Sequence, residues 1–272
     1  MFDYDKEAER YDASRGGELR AEAAADAVLG LIPEGTGTLL DVACGTGIVT
    51  RRLAAAGLDV TGADAAYGML RRAAARVPGR LVLADTRQLP FPDTSFDAVS
   101  AIWLLHLLDD AERVVAEAAR VLRPGGVFVT TVDKAASHDV GSDIDAVMAP
   151  RPRRTARDRC DLVATYAGRH ALLPAGRARF RGRGQGRAPA RAAADVRRGW
   201  YTLLPPGAPL TEKLAARLEQ LPDQHVPRPE PEFELRAFRK PGPPDVRRPT
   251  NSTDRTNSTD RTNSTVRAET DA

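Results

Sequence analysis

Between residues 39 and 132 the apolar positions alternate between two patterns. Short continuous runs predict buried strands, and runs recurring every three or four residues predict helices. The strands are Leu39–Ala43, Leu58–Ala63, Arg80–Ala84, Phe96–Ile102 and Val127–Val132. The helices are Ile48–Ala56, a segment containing Met69–Arg76, and Asp110–Leu122, with Val114, Val115, Ala118, Val121 and Leu122 on one face. The run RPGG at 123–126 predicts that this last helix stops there, since Pro124 cannot continue it and Gly125 suits its end. Strand–helix alternation with short connections predicts a parallel sheet covered on both faces, and such sheets bind ligands beyond the carboxyl ends of their strands.

The flanks read differently. Lys6–Leu31 is largely helical by composition and is placed to cover the sheet mouth. Downstream, 151–198 is Arg-rich and irregular in pattern, with a short strand at Arg177–Arg181. Helices follow at Ala188–Leu204 and Leu210–Leu221, then a half-exposed strand at Glu232–Arg239. From Thr250 the unit TNSTDR occurs twice and begins a third time, with no apolar residue to bury; 241–272 is therefore predicted to be a disordered repeat tail. The N-x-[ST] patterns at Asn251, Asn257 and Asn263 carry no glycosylation meaning without a secretion signal.

Composition adds bounds. At 272 residues, 42% apolar and 28% charged, the chain can bury a substantial core. A net charge of +3 does not by itself demand nucleic acid or an acidic membrane. Cys44 and Cys160 are too far apart in sequence for a disulfide framework or zinc spacing, so no metal is expected and a reducing compartment fits. The charged opening MFDYDKEAER lacks a leader's apolar stretch, and no run approaches the roughly 18 apolar residues of a membrane span. The expectation is a cytoplasmic protein; nothing in the sequence sets its oligomeric state.

The candidate chemistry gathers at predicted strand ends. In LLDVACGTG (39–47), Asp41 ends an apolar run, and Gly45 and Gly47 permit positive φ and close approach of a ligand. A helix starting near Gly47 would direct unpaired N–H groups at an anionic group. Asp64 ends the second strand, 17 residues after Gly47, where a carboxylate can accept from both hydroxyls of a ribose; the bland alternative is a helix cap. Asp85 ends the third strand, placed to accept from an adenine amino group or merely to form a turn.

The runs DVACGTG (41–47), GADAAYGML (62–70), LADTRQLPFPDTSFDAVSAIWLLHLLD (83–109) and RVLRPGGVFVTT (120–131), in that order, resemble the class I S-adenosylmethionine-dependent methyltransferases, in their small-molecule, ubiquinone-methyltransferase-like branch. The resemblance covers about residues 1–240. It implies a Rossmann-like α/β fold: a mostly parallel seven-stranded sheet with helices on both faces, the last strand antiparallel, a helical N-terminal cap and a lid insertion. The implied division is one domain over 1–240, with a core at 37–135 and a lid at about 140–225.

S-adenosylmethionine is the implied cofactor. Asp41 and the backbone of Cys44, Gly45 and Gly47 would surround its methionyl part, Asp64 its ribose, and Asp85 with the backbone of Thr86 its adenine. Ala101–Trp103 would pass beneath the methionyl amino group, and Tyr11 and Arg15 of YDASR would close over it. Cys44 is read as small and buried, not as a nucleophile. The implied acceptor is a small organic molecule under the lid, against Trp200 and Tyr201, with O-methylation favoured over N or C. His106 and His138 are the candidate bases for a hydroxyl acceptor, against a purely structural reading of each.

Two rivals stand beside this reading. A NAD(P)-dependent Rossmann oxidoreductase shares the Gly-x-Gly loop, but its third glycine would fall at Thr50, and LPFPD has no counterpart there. A non-catalytic module could use Arg-rich 151–198 on RNA, but the segment offers few aromatics for stacking.

Overall fold

The computed structural model describes residues 4–153, 155–200 and 203–242. The repeat tail from residue 243 and Tyr201 lie outside the described residues.

Two short helices, α1 (Tyr4–Glu7) and α2 (Tyr11–Ser14), precede α3 (Gly17–Leu29). The single helix expected over Lys6–Leu31 is broken because Gly16 and Gly17 take positive φ, +89° and +53°. A β-carbon on Gly16 would stand 2.3 Å from the Arg183 carbonyl, so only glycine fits where this hinge meets the 182–186 loop. The alternating core follows: β1 (Thr38–Val42), α4 (Ile48–Ala55), β2 (Asp59–Asp64), α5 (Tyr67–Ala73), β3 (Leu81–Leu83), β4 (Phe96–Ala101), a 3-10 turn at Leu105–Leu107, α6 (Ala111–Val121) and β5 (Leu122–Val132).

The fifth strand starts five residues earlier than expected and contains the RPGG run. α6 passes directly into β5 at Leu122, which pairs with Phe96 before the register shifts to Ala98 opposite Val127. Gly126 is needed at this irregularity, since a β-carbon there would meet the Asp97 carbonyl at 2.8 Å.

Beyond β5 come α7 (Lys134–Ser137), α8 (Asp143–Met148), α9 (Cys160–Arg169), β6 (Leu173–Arg181), α10 (Pro189–Arg197), α11 (Pro209–Glu219) and β7 (Glu232–Arg239). The helix expected over 188–204 ends early, at a turn where Gly199 has φ +73°. The strand order is β3-β2-β1-β4-β5-β7-β6, and β7 runs antiparallel to both its neighbours. The seven-stranded, mostly parallel Rossmann-like sheet is as the sequence predicts.

Strand residues alternate between the two faces. Leu40, Val42, Val99 and Phe128 pack on α6 and on Val163, Tyr166 and Ala167 of α9. Leu39, Val60, Ala98, Val127 and Val129 pack on α3 and α4. A third apolar cluster is separate: Ile144 and Met148 of α8 meet Ala192 and Val196 of α10 and Leu214 and Leu218 of α11.

Many arginines of 151–198 are ion-paired. Arg159 pairs with Asp161, Arg179 with Glu232 and Glu234, Arg187 with Asp145, Arg191 and Arg198 with Asp195, and Arg197 with Glu212 and Glu219. Among the described residues, no helix is long and apolar enough to cross a membrane.

Candidate functional site

The carboxyl ends of β1, β4 and β5 each turn through a non-glycine residue in the left-handed region. These are Ala43 (φ +59°), Trp103 (φ +58°) and Asp133 (φ +49°). Such backbone costs energy and persists where the surroundings over-determine it, often at ligand sites. Here all three turn the chain around one mouth.

The glycine loop ties β1 to β2. The Gly45 N–H donates to Asp64 Oδ2 at 2.8 Å, and the Ala66 N–H donates to Oδ1 at 2.8 Å. Asp64 therefore both fixes the loop and starts α5, and burial raises its carboxyl pKa. A β-carbon on Gly45 would meet nothing within 4 Å, so the bare peptide faces open space. Gly47 differs: a β-carbon there would lie 3.0 Å from Ala73 Cβ, so its bareness lets α4 approach α5.

Asp41 is 3% exposed at the end of β1. Its carboxylate accepts from Thr50 Oγ1 at 2.6 Å and Ser100 Oγ at 2.8 Å. Burial nevertheless pushes its pKa up to about 6. Cys44 is buried, its thiol pushed up by burial and by the Asp41 and Asp64 charges. Its sulfur packs where a Gly62 β-carbon would stand, 2.9 Å away.

A cleft opens onto this loop, lined by Asp41, Cys44, Gly45, Thr46, Trp103, Tyr11 and Arg20 among others. A small adjoining chamber shares Tyr11, Arg20 and Trp103 and adds Arg15, His106, Lys134, Tyr4 and Phe233. The N-terminal helices form the roof. Thr46 Oγ1 donates to Asp12 Oδ1 at 2.6 Å, and Arg76 bridges Asp12 Oδ2 and the Thr46 carbonyl at 2.7 Å each. The Gly68 N–H donates to Asp5 at 2.5 Å, fastening α1 to α5.

The structure thus gathers Asp41, Cys44, Gly45 and Tyr11 around the cleft, with Asp64 bonded to its loop. Arg15 lies in the chamber, its guanidinium 4.0 Å from the Trp200 ring centre and 5.2 Å from that of Tyr11. His106 lines the chamber. His138 stands behind it, edge-on to Phe233 at 5.4 Å. Burial lowers both imidazoles well below their ordinary pKa. Ala101 is fully buried at the end of β4.

Asp85 and Thr86 follow β3 and line neither space. Thr86 is buried, whereas Asp85 forms a bidentate pair with Arg87 at 3.0 and 2.7 Å, which holds its carboxyl down to about 2.

Arg20 and Lys134 are site residues that the pattern reading overlooked. Arg20 shares one helical stripe with Ala24 and Val28, four and eight residues on, and a cation on an apolar stripe is the available signal. Among the described residues, no His, Cys, Asp and Glu group could hold a metal ion.

Residues 40–130 match the family model described as a methyltransferase domain. Over these residues the chain is similar to that domain family. The chain is 42% identical over 110 residues to 27-O-demethylrifamycin SV methyltransferase of Amycolatopsis mediterranei, covering 37% of this chain and 40% of that protein. It is 41% identical over 92 residues to demethylmenaquinone methyltransferase of Renibacterium salmoninarum, covering 34% and 39%. The match therefore spans about two fifths of these relatives' length.

Over most of its length, the fold of the chain is similar to solved structures. One is a SAM-dependent methyltransferase from Thermotoga maritima, with a TM-score of 0.54 and 16% identity over 87% of this chain and 98% of that one. Another is the [4+2]-cyclase SpnF, with a TM-score of 0.56 and 21% identity over 88% and 94%. These likenesses show the fold; activity must be argued from the site.

Proposed function

We propose that the chain is an S-adenosylmethionine-dependent methyltransferase that methylates a small organic acceptor, with oxygen as the favoured acceptor atom. The observation that carries this is the Asp64–Gly45 tie. It joins two strand ends and a bare loop into one cradle, beside the buried Asp41 and under the Tyr11 roof. Asp41, Cys44, Gly45 and Gly47 would hold the methionyl part. Asp64 has lone pairs left for a ribose, and Asp85 with Thr86 would meet the adenine once Arg87 yields. Bound there, the cofactor supplies a methyl on a positively charged sulfonium, already activated for displacement.

The chain's own work is then positioning. The aromatic walls Trp103, Tyr4 and Phe233 would hold the acceptor beside the cleft and exclude water. Methyl transfer breaks the S–CH3 bond, leaves its electron pair on a neutral thioether, and forms one bond to the acceptor atom. A hydroxyl acceptor must also lose a proton. His106 is neutral at neutral pH and stands in the chamber, so it is the better-placed base; His138 would act from behind Phe233. The base role of His138 is abandoned if His138→Ala keeps full turnover at every pH.

The α8–α10–α11 cluster and the turn carrying Trp200 are the proposed acceptor lid within 140–225. Calorimetry with S-adenosylhomocysteine tests the core reading: micromolar binding is expected, with none for NAD. The reverse result would favour the oxidoreductase. The ion pairing of Arg159, Arg179, Arg187, Arg191, Arg197 and Arg198 reduces the cationic surface of 151–198 that an RNA-binding role would use.

A further inference from the structure

The chamber beside the cofactor cleft carries an unusual charge. Three cations line it, Arg15, Arg20 and Lys134, and no carboxylate is among its lining residues. Arg20 is 5% exposed, yet its Nε has no hydrogen-bond partner. The Nε of Arg15 and the indole N–H of Trp103 are likewise buried without partners. A buried donor without a partner is costly, and three of them belong to residues that line one chamber, which points to a missing acceptor group there.

Two neighbouring carboxylates are engaged elsewhere. Asp12 is held by Thr46 and Arg76, and Asp64 by two backbone N–H groups. Asp158 accepts from the Lys134 backbone N–H through one oxygen, while its other oxygen is buried without a partner and its charge acts on Lys134. The cations are correspondingly in mutual repulsion. Burial together with Arg15 and Arg20 lowers the Lys134 pKa to about 7, and Asp158 offsets this only in part.

The cofactor cannot balance this charge. Its amino acid end brings one carboxylate and one ammonium, and its sulfonium is positive, so it adds net positive charge beside the chamber. One of the three cations, Arg15 by its place in the roof, can take the cofactor carboxylate. Arg20 and Lys134 remain. Arg20 stacks on Trp103, its guanidinium carbon 4.0 Å from the ring centre, and its side chain bonds Tyr11, while its Nε stays without a partner that a planar oxyanion would supply.

We infer that the methyl acceptor is a small organic acid, its carboxylate held by Arg20 and Lys134 and its flat apolar body lying against Trp103 and Phe233. This rests on the methyltransferase reading above and names its substrate class. The carboxylate anchors the acceptor next to the sulfonium, where opposite charges attract across a water-poor space.

The test is calorimetry on the full chain with two probes of near-equal shape, 4-hydroxybenzoate and 4-hydroxybenzyl alcohol, each with S-adenosylhomocysteine saturating. The acid is expected to bind at least tenfold tighter than the alcohol. Lys134→Met and Arg20→Gln should each reduce that ratio to threefold or less, and Lys134→Arg should keep it. Equal affinities, no binding of the acid, or a ratio unchanged in both loss variants overturns the inference while S-adenosylhomocysteine still binds. Absence of S-adenosylhomocysteine binding to the wild type instead sinks the methyltransferase reading, and the acceptor inference with it.

Discussion

At the scale of single residues, Asp41 shows how a site residue opposes stability. Its two hydroxyl partners do not offset burial, so its pKa stands at about 6 rather than 3.8. The folded state therefore holds this proton more tightly than the unfolded chain does. The stability it confers is full below about pH 4 and is lost as pH rises through 6. Asp41→Asn removes that dependence. Relative to wild type it should stabilise the ligand-free protein by about 1–3 kcal/mol above pH 6, a gain that vanishes near pH 4. Urea titrations at pH 4, 6 and 8 would measure it. S-adenosylhomocysteine affinity should fall in the same variant, the trade expected where a charge is kept for binding.

Asp85 gives the opposite case. It is half exposed and paired with Arg87, so the pair contributes little stability through solvent screening. If Asp85 receives the adenine amino group, Arg87 must first release it. Arg87→Ala should then tighten S-adenosylhomocysteine severalfold, and Asp85→Ala should weaken it about tenfold. Equal affinity in all three proteins would remove Asp85 from the adenine site.

At the scale of elements, Gly47 links α4 to α5. It combines φ +73° with a β-carbon position 3.0 Å from Ala73 Cβ. Gly47→Ala should cost about 2 kcal/mol or more, the sum of left-handed strain and overpacking, read as a lower urea midpoint at an unchanged slope. The latch between α2 and the loop is different, because it exists only with the roof closed. Asp12→Ala deletes both the Thr46 and the Arg76 contact. Stopped-flow should show S-adenosylhomocysteine leaving about tenfold faster with little change in its entry.

The elements also show what sequence alone can deliver. β1, α4, β2 and β7 lie within a residue of the periodic segments, because each packs one patterned face on the core. β5 does not. Its start depends on Leu122 finding Phe96 across a bulge, a long-range pairing with no local signature. α9 was hidden in an Arg-rich stretch because only Val163, Tyr166 and Ala167 of it reach the core. In the site, Asp41 and the glycine loop stand out as residue types at strand ends. The cationic chamber does not, since it is built from the N-terminal helices, the end of β5 and β7, which meet only in three dimensions.

At the scale of the whole molecule, the roof and the proposed lid meet at one side chain. Arg15 of the N-terminal segment stacks on Trp200, which follows α10, and Tyr11 flanks the same guanidinium. The α8–α10–α11 cluster has its own apolar core, so it can move as a unit, and Trp200 couples it to the roof. A cation over an indole is worth about 0.5–2 kcal/mol, a factor of roughly two to thirty in an equilibrium. Trp200→Ala should therefore raise the acceptor dissociation constant about tenfold, measured with S-adenosylhomocysteine saturating. The cofactor's own affinity should drop less, because the cleft keeps Asp41, Asp64 and Gly45. Trp200→Phe, which restores an aromatic face, should recover part of the loss. Acceptor binding that is indifferent to Trp200→Ala would mean that the cluster only decorates the sheet, and the acceptor would then have to be held by the roof and the strand ends alone.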